Sequence, residues 1–282
     1  MMTTKFGPAG NCDAFYASGR KATLQAPEWL REIGLDAYEF QAGNGLRVSD
    51  ATLIAIGDQA KKHDIAMSLH TPYFISLSGV DPEKRLKSIT YIKDSLHAAS
   101  LLGADIIVIH TGSAAKISRE EALGLAADTL YKTLEEIGDQ PIKLGLETMG
   151  KVNQLGTLEE VISLCKIDPI FCPVVDWGHL NSRNVGGLFP DADAYRRVFH
   201  AIGESLGDAY ANNLHCHFSK IEYTSAGEKR HLTFEDDVYG PNFEPLAEVI
   251  AKDALSPRII CESAGTQADD ALFMKNTLKN LI

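Results

Sequence analysis

A single rhythm constrains this chain more than any other feature of it. Eight short apolar, β-branched segments, at residues 5–9, 37–41, 66–70, 106–110, 143–147, 172–176, 213–217 and 258–262, alternate with stretches of helical spacing. The helical stretches run over 27–33, 50–63, 82–102, 118–137, 157–165, 192–206, 243–252 and 267–281. Strand–helix alternation builds a parallel sheet with helices packed on it. Eight units predict a closed (β/α)8 TIM barrel, an α/β fold, over an open doubly wound sheet, which commonly has about five or six strands. No linker or low-complexity stretch divides the 282 residues, so one barrel domain over 1–282 is expected. Ser118 with Glu121, and Thr157 with Glu160, have the form of helix-starting capping boxes.

Several function classes drop out. No apolar run approaches the roughly 20 residues of a membrane span. The first residues lack the apolar stretch of a signal peptide, so a cytoplasmic address is expected. Five cysteines, with no CxxC pair, suggest reduced and mostly buried thiols. No GxGxxG or phosphate loop opens a helix, which disfavours dinucleotides and nucleoside triphosphates. The formal net charge of −11 argues against a basic nucleic-acid face, but divalent ions would add positive charge where a phosphate would sit.

The chemistry stands at the strand ends. His70 closes the third segment, His110 the fourth, Glu147 the fifth and Asp176 the sixth, with His179 three residues on. The seventh carries His215 and His217, and the eighth ends in Glu262. The C-terminal rim of such a barrel is where active sites lie. Carboxylates gathered near an apolar interior repel one another and cost several kcal/mol each unless a cation offsets them. Divalent metal does so, and mixed nitrogen and oxygen ligands suit zinc, with manganese accepting similar ones. His215 and His217 face the same way, two apart on a strand, and only one of them needs to be a ligand.

In order, spacing and neighbours, residues 66 to 265 resemble the endonuclease IV family of apurinic/apyrimidinic endonucleases, within the xylose-isomerase-like barrel superfamily. The first sixty residues match it much less. The resemblance implies a cluster of two or three zinc ions. His70, His110 and Glu147 would hold the first. Glu147 would bridge to a second held by Asp176, His215 and Glu262. His179 and His231 would hold a third. Glu147 and Glu262 would then be catalytic, and Tyr73 and Phe74 would enter DNA at the lesion. In place of the family's Asp-x-His, this chain reads GEKRH, with Lys229 at the Asp position. Three outcomes stay open: Glu228 takes over, the third ion is lost, or Lys229 holds a substrate phosphate.

Three functional readings follow. One is a phosphodiester hydrolase that cleaves abasic-site DNA as a monomer, without a membrane. Another is a sugar or sugar-phosphate isomerase or epimerase, which needs a single metal. The last is a non-catalytic scaffold, for which no residue speaks.

Overall fold

The computed structural model describes residues 4–282. Its strands, in chain order, are β1 (Lys5–Pro8), β2 (Ala37–Gln41), β3 (Ala66–His70), β4 (Ile106–His110), β5 (Lys143–Glu147), β6 (Phe171–Asp176), β7 (His215–Phe218), β8 (Ile221–Thr224), β9 (Gly227–His231) and β10 (Arg258–Cys261). Eight of them form one parallel sheet in the order β1-β10-β7-β6-β5-β4-β3-β2. Its two ends meet. Ala9 and Glu39 form a parallel bridge, Asp36 N donates to Phe6 O at 2.9 Å, and Gly10 N donates to Glu39 O at 2.9 Å. A Cβ at Gly7 would lie 1.8 Å from the Ala37 carbonyl oxygen, so only glycine lets β1 come this close to β2. The expected TIM barrel is the observed fold.

Side chains alternate along each strand between barrel and helix layer. Outward residues such as Ile107, Ile109, Leu144, Leu146, Val175, Cys216 and Ile259 join the large core beneath the helices. Two small apolar clusters, Ala9–Ala37–Ile260 and Ile106–Val108–Val174, fill part of the inward face. By the same parity, the last inward position before the rim is His70 on β3, His110 on β4, Glu147 on β5, Asp176 on β6 and His217 on β7. Glu262 follows β10 in the same phase and stays tied to β7 through Glu262 N donating to Phe218 O at 3.1 Å. The barrel interior is thus apolar only in part, and ionisable residues gather toward its C-terminal end.

The helices fall close to the expected stretches, and their starts obey local chemistry. Thr157 and Glu160 form the full capping box: Glu160 N donates to Thr157 Oγ1 at 3.2 Å and Thr157 N to Glu160 Oε2 at 3.0 Å. Ser118 caps its helix through Glu121 N at 3.1 Å, without the return bond. The short helices Asp13–Ala17, Trp177–Arg183 and Asp208–Asn212, and the antiparallel β8–β9 hairpin, were not expected. Elements of four to seven residues carry too few turns to print a period. No helix among the described residues is long and apolar enough to cross a membrane.

Candidate metal centre at the barrel rim

Glu147 sits at the middle of the rim and is fully buried. Its Oε2 lies 3.1 Å from His110 Nε2 and 3.6 Å from His70 Nε2. Its Oε1 lies 2.8 Å from His217 Nδ1 and 3.6 Å from His179 Nδ1. Asp176 ends β6 and caps the next helix, accepting from His179 N at 2.6 Å through Oδ1. That cap turns the first helical residues back over the rim, so the His179 ring stands 3.4 Å from Asp176 Oδ2. Glu262 Oε1 is 3.6 Å from His217 Nδ1.

Three adjoining groups result, each with its ligand atoms within 4.8 Å of one another: His70–His110–Glu147, Glu147–Asp176–His217–Glu262, and His179–Glu228–His231. The carboxylates have only imidazoles for ion-pair partners here, with no lysine or arginine among the described residues. The ring tautomers bear on what would satisfy them. His70 Nδ1 meets the Thr71 carbonyl at 2.9 Å, and His179 Nδ1 meets the Thr148 carbonyl at 3.0 Å. A carbonyl only accepts, so each Nδ1 carries the proton and each neutral ring turns an Nε2 lone pair toward a carboxylate oxygen. Glu147 Oε2 and Asp176 Oδ2 are buried and have no hydrogen-bond donor. Where the Nε2 lone pairs of His70 and His179 face Glu147 Oε2 and Glu228 Oε2, lone pair meets lone pair and a cation is needed between. A proton can serve. Burial disfavours charge on His179, but Asp176, Glu228 and Glu147 outweigh it and raise the ring to about 9. Burial likewise opposes charge on His217, yet Glu262, Glu39 and Glu147 hold it well above its ordinary value. Glu147 stays well below the usual carboxylate range despite burial, because His217, His110 and His70 surround it. A divalent ion satisfies the same oxygens and nitrogens at once, and the donor set fits one.

One expected position is corrected by the fold, which also bears on another that the sequence leaves open. His215 was expected beside Asp176 and Glu262, but the residue there is His217. In the β6–β7 register Asp176 pairs with His217, while His215 pairs with Val174, one pleat deeper. His215 Nε2 instead lies 3.0 Å from Glu39 Oε2. At GEKRH, where the sequence leaves three outcomes open, Glu228 rather than Lys229 joins His179 and His231. The β8–β9 register runs Glu222–Arg230 and then Tyr223–Glu228, a bulge that leaves Lys229 over. The extra residue resets the alternation, so Glu228 rather than Lys229 shares a face with His231. Glu228 Oε2 is 3.4 Å from His179 Nε2, and its Oε1 is 3.9 Å from His231 Nε2. Lys229 is 55% exposed and pairs with Glu222 Oε1 at 2.5 Å.

Glu39 was missed. It lies mid-strand on β2, fully buried, and accepts from Ser68 Oγ at 2.9 Å. Burial would raise its carboxyl, but His217 and His215 hold it well below the usual range. The available signal was a lone acid in the otherwise strand-like AYEFQ, in phase with the inward Ala37. Tyr73 and Phe74 stand at the mouth, 57% and 51% exposed. Tyr73 stacks on His110 with ring centres 5.3 Å apart, and Phe74 meets Tyr91 edge-on at 5.6 Å. Burial, Glu262 and Glu147 push the Tyr73 hydroxyl up to about 12, so it stays protonated at neutral pH.

Known proteins share both the fold and parts of the sequence. An uncharacterized protein of Methanocaldococcus jannaschii is 27% identical over 259 residues, 89% of this chain and 90% of its own length. A probable endonuclease 4 of Acholeplasma laidlawii is 27% identical over 205 residues, 68% of this chain but only 65% of that protein. Endonuclease IV from Thermus thermophilus superposes with a TM-score of 0.70 at 19% identity, over 98% of each chain. A D-tagatose 3-epimerase-like protein superposes equally well, with a TM-score of 0.70 at 19% identity over 99% of this chain and 97% of that one. At such identities the two superpositions speak for the fold alone. The family model described as xylose isomerase-like TIM barrel matches residues 27–277, and the chain belongs to that family.

Proposed function

We propose that this chain is a metal-dependent phosphodiester hydrolase that cleaves DNA at abasic sites, with zinc as the metal and two or three ions per chain. The observation that carries the reading is the run of three acid–imidazole groups joined through Glu147 and His179, beside an exposed aromatic pair. A single-metal isomerase has no need of His70, His110, His179, Glu228 and His231. In this reading His70, His110 and Glu147 hold the first ion, and Glu147, Asp176, His217 and Glu262 the second. His179, Glu228 and His231 hold the third.

Bound divalent ions supply Lewis acidity, lowering the pKa of a water and neutralising charge on phosphate oxygens. The side chains do the rest. Glu262 retains 15% of its side-chain surface, whereas Glu147 and Asp176 are closed off, so Glu262 is placed to orient an attacking water. Tyr73 and Phe74 offer flat apolar surface to bases flanking a lesion, and an abasic nucleotide leaves the stack more easily than an intact one. Arg47, Lys116 and Lys151 are exposed on loops that follow β2, β4 and β5, where a phosphate backbone would run. The relative named a probable endonuclease 4 supports an endonuclease reading. The reducing cytoplasm is the compartment we assign, in keeping with five free cysteines.

The test is incision of an abasic-site duplex by purified protein, with and without chelator. Chelator-sensitive cutting is expected, and its absence under every divalent metal would end the proposal. One observation favours a second reading. Glu147, Asp176, His217 and Glu262 form a complete four-ligand set without the other groups. That set suffices for a sugar isomerase or epimerase. A metal content near one ion per chain selects that reading, and two or more selects the hydrolase.

A further inference from the structure

We infer that Glu39 is a positioning residue for the metal centre, holding the His217 ring from inside the barrel so that its Nδ1 faces Glu147, Asp176 and Glu262. Glu39 is a fully buried carboxylate with no lysine or arginine partner, an expensive residue to keep in a barrel interior. Its setting is built. Oε2 accepts from Ser68 Oγ at 2.9 Å and lies 3.0 Å from His215 Nε2, while Oε1 accepts from Gln41 Nε2 at 3.2 Å. The β2–β3 register sets Glu39 beside Ser68, and parity brings His215 and His217 to the same interior.

His217 stands between two sets of carboxylates. Its Nε2 lies 3.0 Å from Glu39 Oε1, somewhat out of line for a hydrogen bond, and its Nδ1 lies 2.8 Å from Glu147 Oε1. The in-line hydrogen bond of the ring is at Nδ1, to Glu147 Oε1; when a metal takes that Nδ1 lone pair, the Glu39 carboxylate facing Nε2 holds the ring proton there. It also makes the ring a stronger donor. His215 completes the support by holding the other oxygen of Glu39. The rival role, an ion of their own held by Glu39, His215 and His217, would commit both nitrogens of His217 to metal, and Glu39 is already met by four side chains.

The inference rests on the rim being a metal centre, and the experiment separates the two. Wild type, Glu39→Gln and Ser68→Ala are titrated with zinc and with cobalt(II) against a competing chelator, and cobalt d–d spectra are recorded. Wild type is expected to bind at least one ion. Glu39→Gln should keep the saturating metal count but weaken one ion by about 10–100-fold and shift its cobalt bands. Ser68→Ala, which frees one side of Glu39, should do the same more weakly, and it carries the test if Glu39→Gln does not fold. Unchanged affinity and bands in a folded variant overturn the inference while leaving the metal centre standing. Loss of one whole ion, with the others unaffected, assigns Glu39 a site of its own and also overturns it. A wild type that binds no ion overturns the metal-centre reading and this inference with it.

Discussion

At the scale of single residues, neighbours in sequence have opposite fates. Glu228 and Lys229 are adjacent, and the bulge in the hairpin decides which of them meets His179 and His231. If Glu228 is a ligand of the proposed third ion, Glu228→Ala should therefore weaken that ion by at least the roughly 10–100-fold typical of losing a partner that orients a ligand. Lys229→Ala removes only a solvent-screened ion pair with Glu222 and should leave metal content unchanged. Elemental analysis after dialysis against a weak chelator checks both. Equal losses in the two variants would contradict the bulge assignment. His215 and His217 repeat the lesson. They are two apart and face the same way, yet one pleat of depth sets His215 against Glu39 and places His217 between Glu39 and Glu147.

At the scale of elements, what matters is how the loop carrying Gly150 is held, because Glu228 hangs from it. Glu228 N donates to Gly150 O at 3.1 Å, and Val152 N donates to Ala226 O at 3.0 Å. A Cβ at Gly150 would fall 2.7 Å from Glu228 Cβ and 2.9 Å from the His179 ring, so the loop and hairpin touch through bare backbone. Arg119 and Arg183 both donate to the carbonyls of Val152 and Gln154. Arg119 is in turn gripped by Glu160 through bonds of 2.8 Å and 2.6 Å. Burial would raise the Glu160 carboxyl, but Arg119 and the backbone N–H groups of Thr157 and Gly156 outweigh it and hold it below its ordinary 4.5. The sign follows. Glu160 contributes stability that is fully present above about pH 4.5 and is lost as pH falls through the lower folded value. Glu160→Gln should cost about 1–3 kcal/mol near neutrality and flatten the loss between pH 5 and 3, as read by urea unfolding over that range. An unchanged pH slope in the variant would show that Glu160 is not the group responsible.

At the scale of the whole molecule, closure of the barrel is what brings eight distant strand ends to one rim, and Gly7 is where the closure is tightest. Gly7→Ala should force β1 away from β2 and destabilise by about 1–3 kcal/mol or more, seen as a lowered Tm, with metal affinity falling too because Glu39 sits on β2 at that seam. A variant with wild-type Tm would mean the seam can open without strain. The sequence by itself determined the class of fold, since eight apolar segments alternating with helices have few ways to bury their surface. It also determined that His70, His110, Glu147, Asp176 and Glu262 stand where strands end, with His179 three residues past one of them, because a polar residue that stops an apolar run is visible in one dimension. It pointed equally to His215 and His217, because parity is shared by residues two apart. Only the tertiary structure decided depth, register and bulge. Cross-strand pairing set His217 against Asp176, closure brought Glu39 on β2 to both histidines, and a single extra residue in a five-residue strand turned Glu228 inward and Lys229 out. The first two relate strands far apart in the chain and the third is set by cross-strand register within a hairpin, and no periodic pattern of side chains along one strand encodes them.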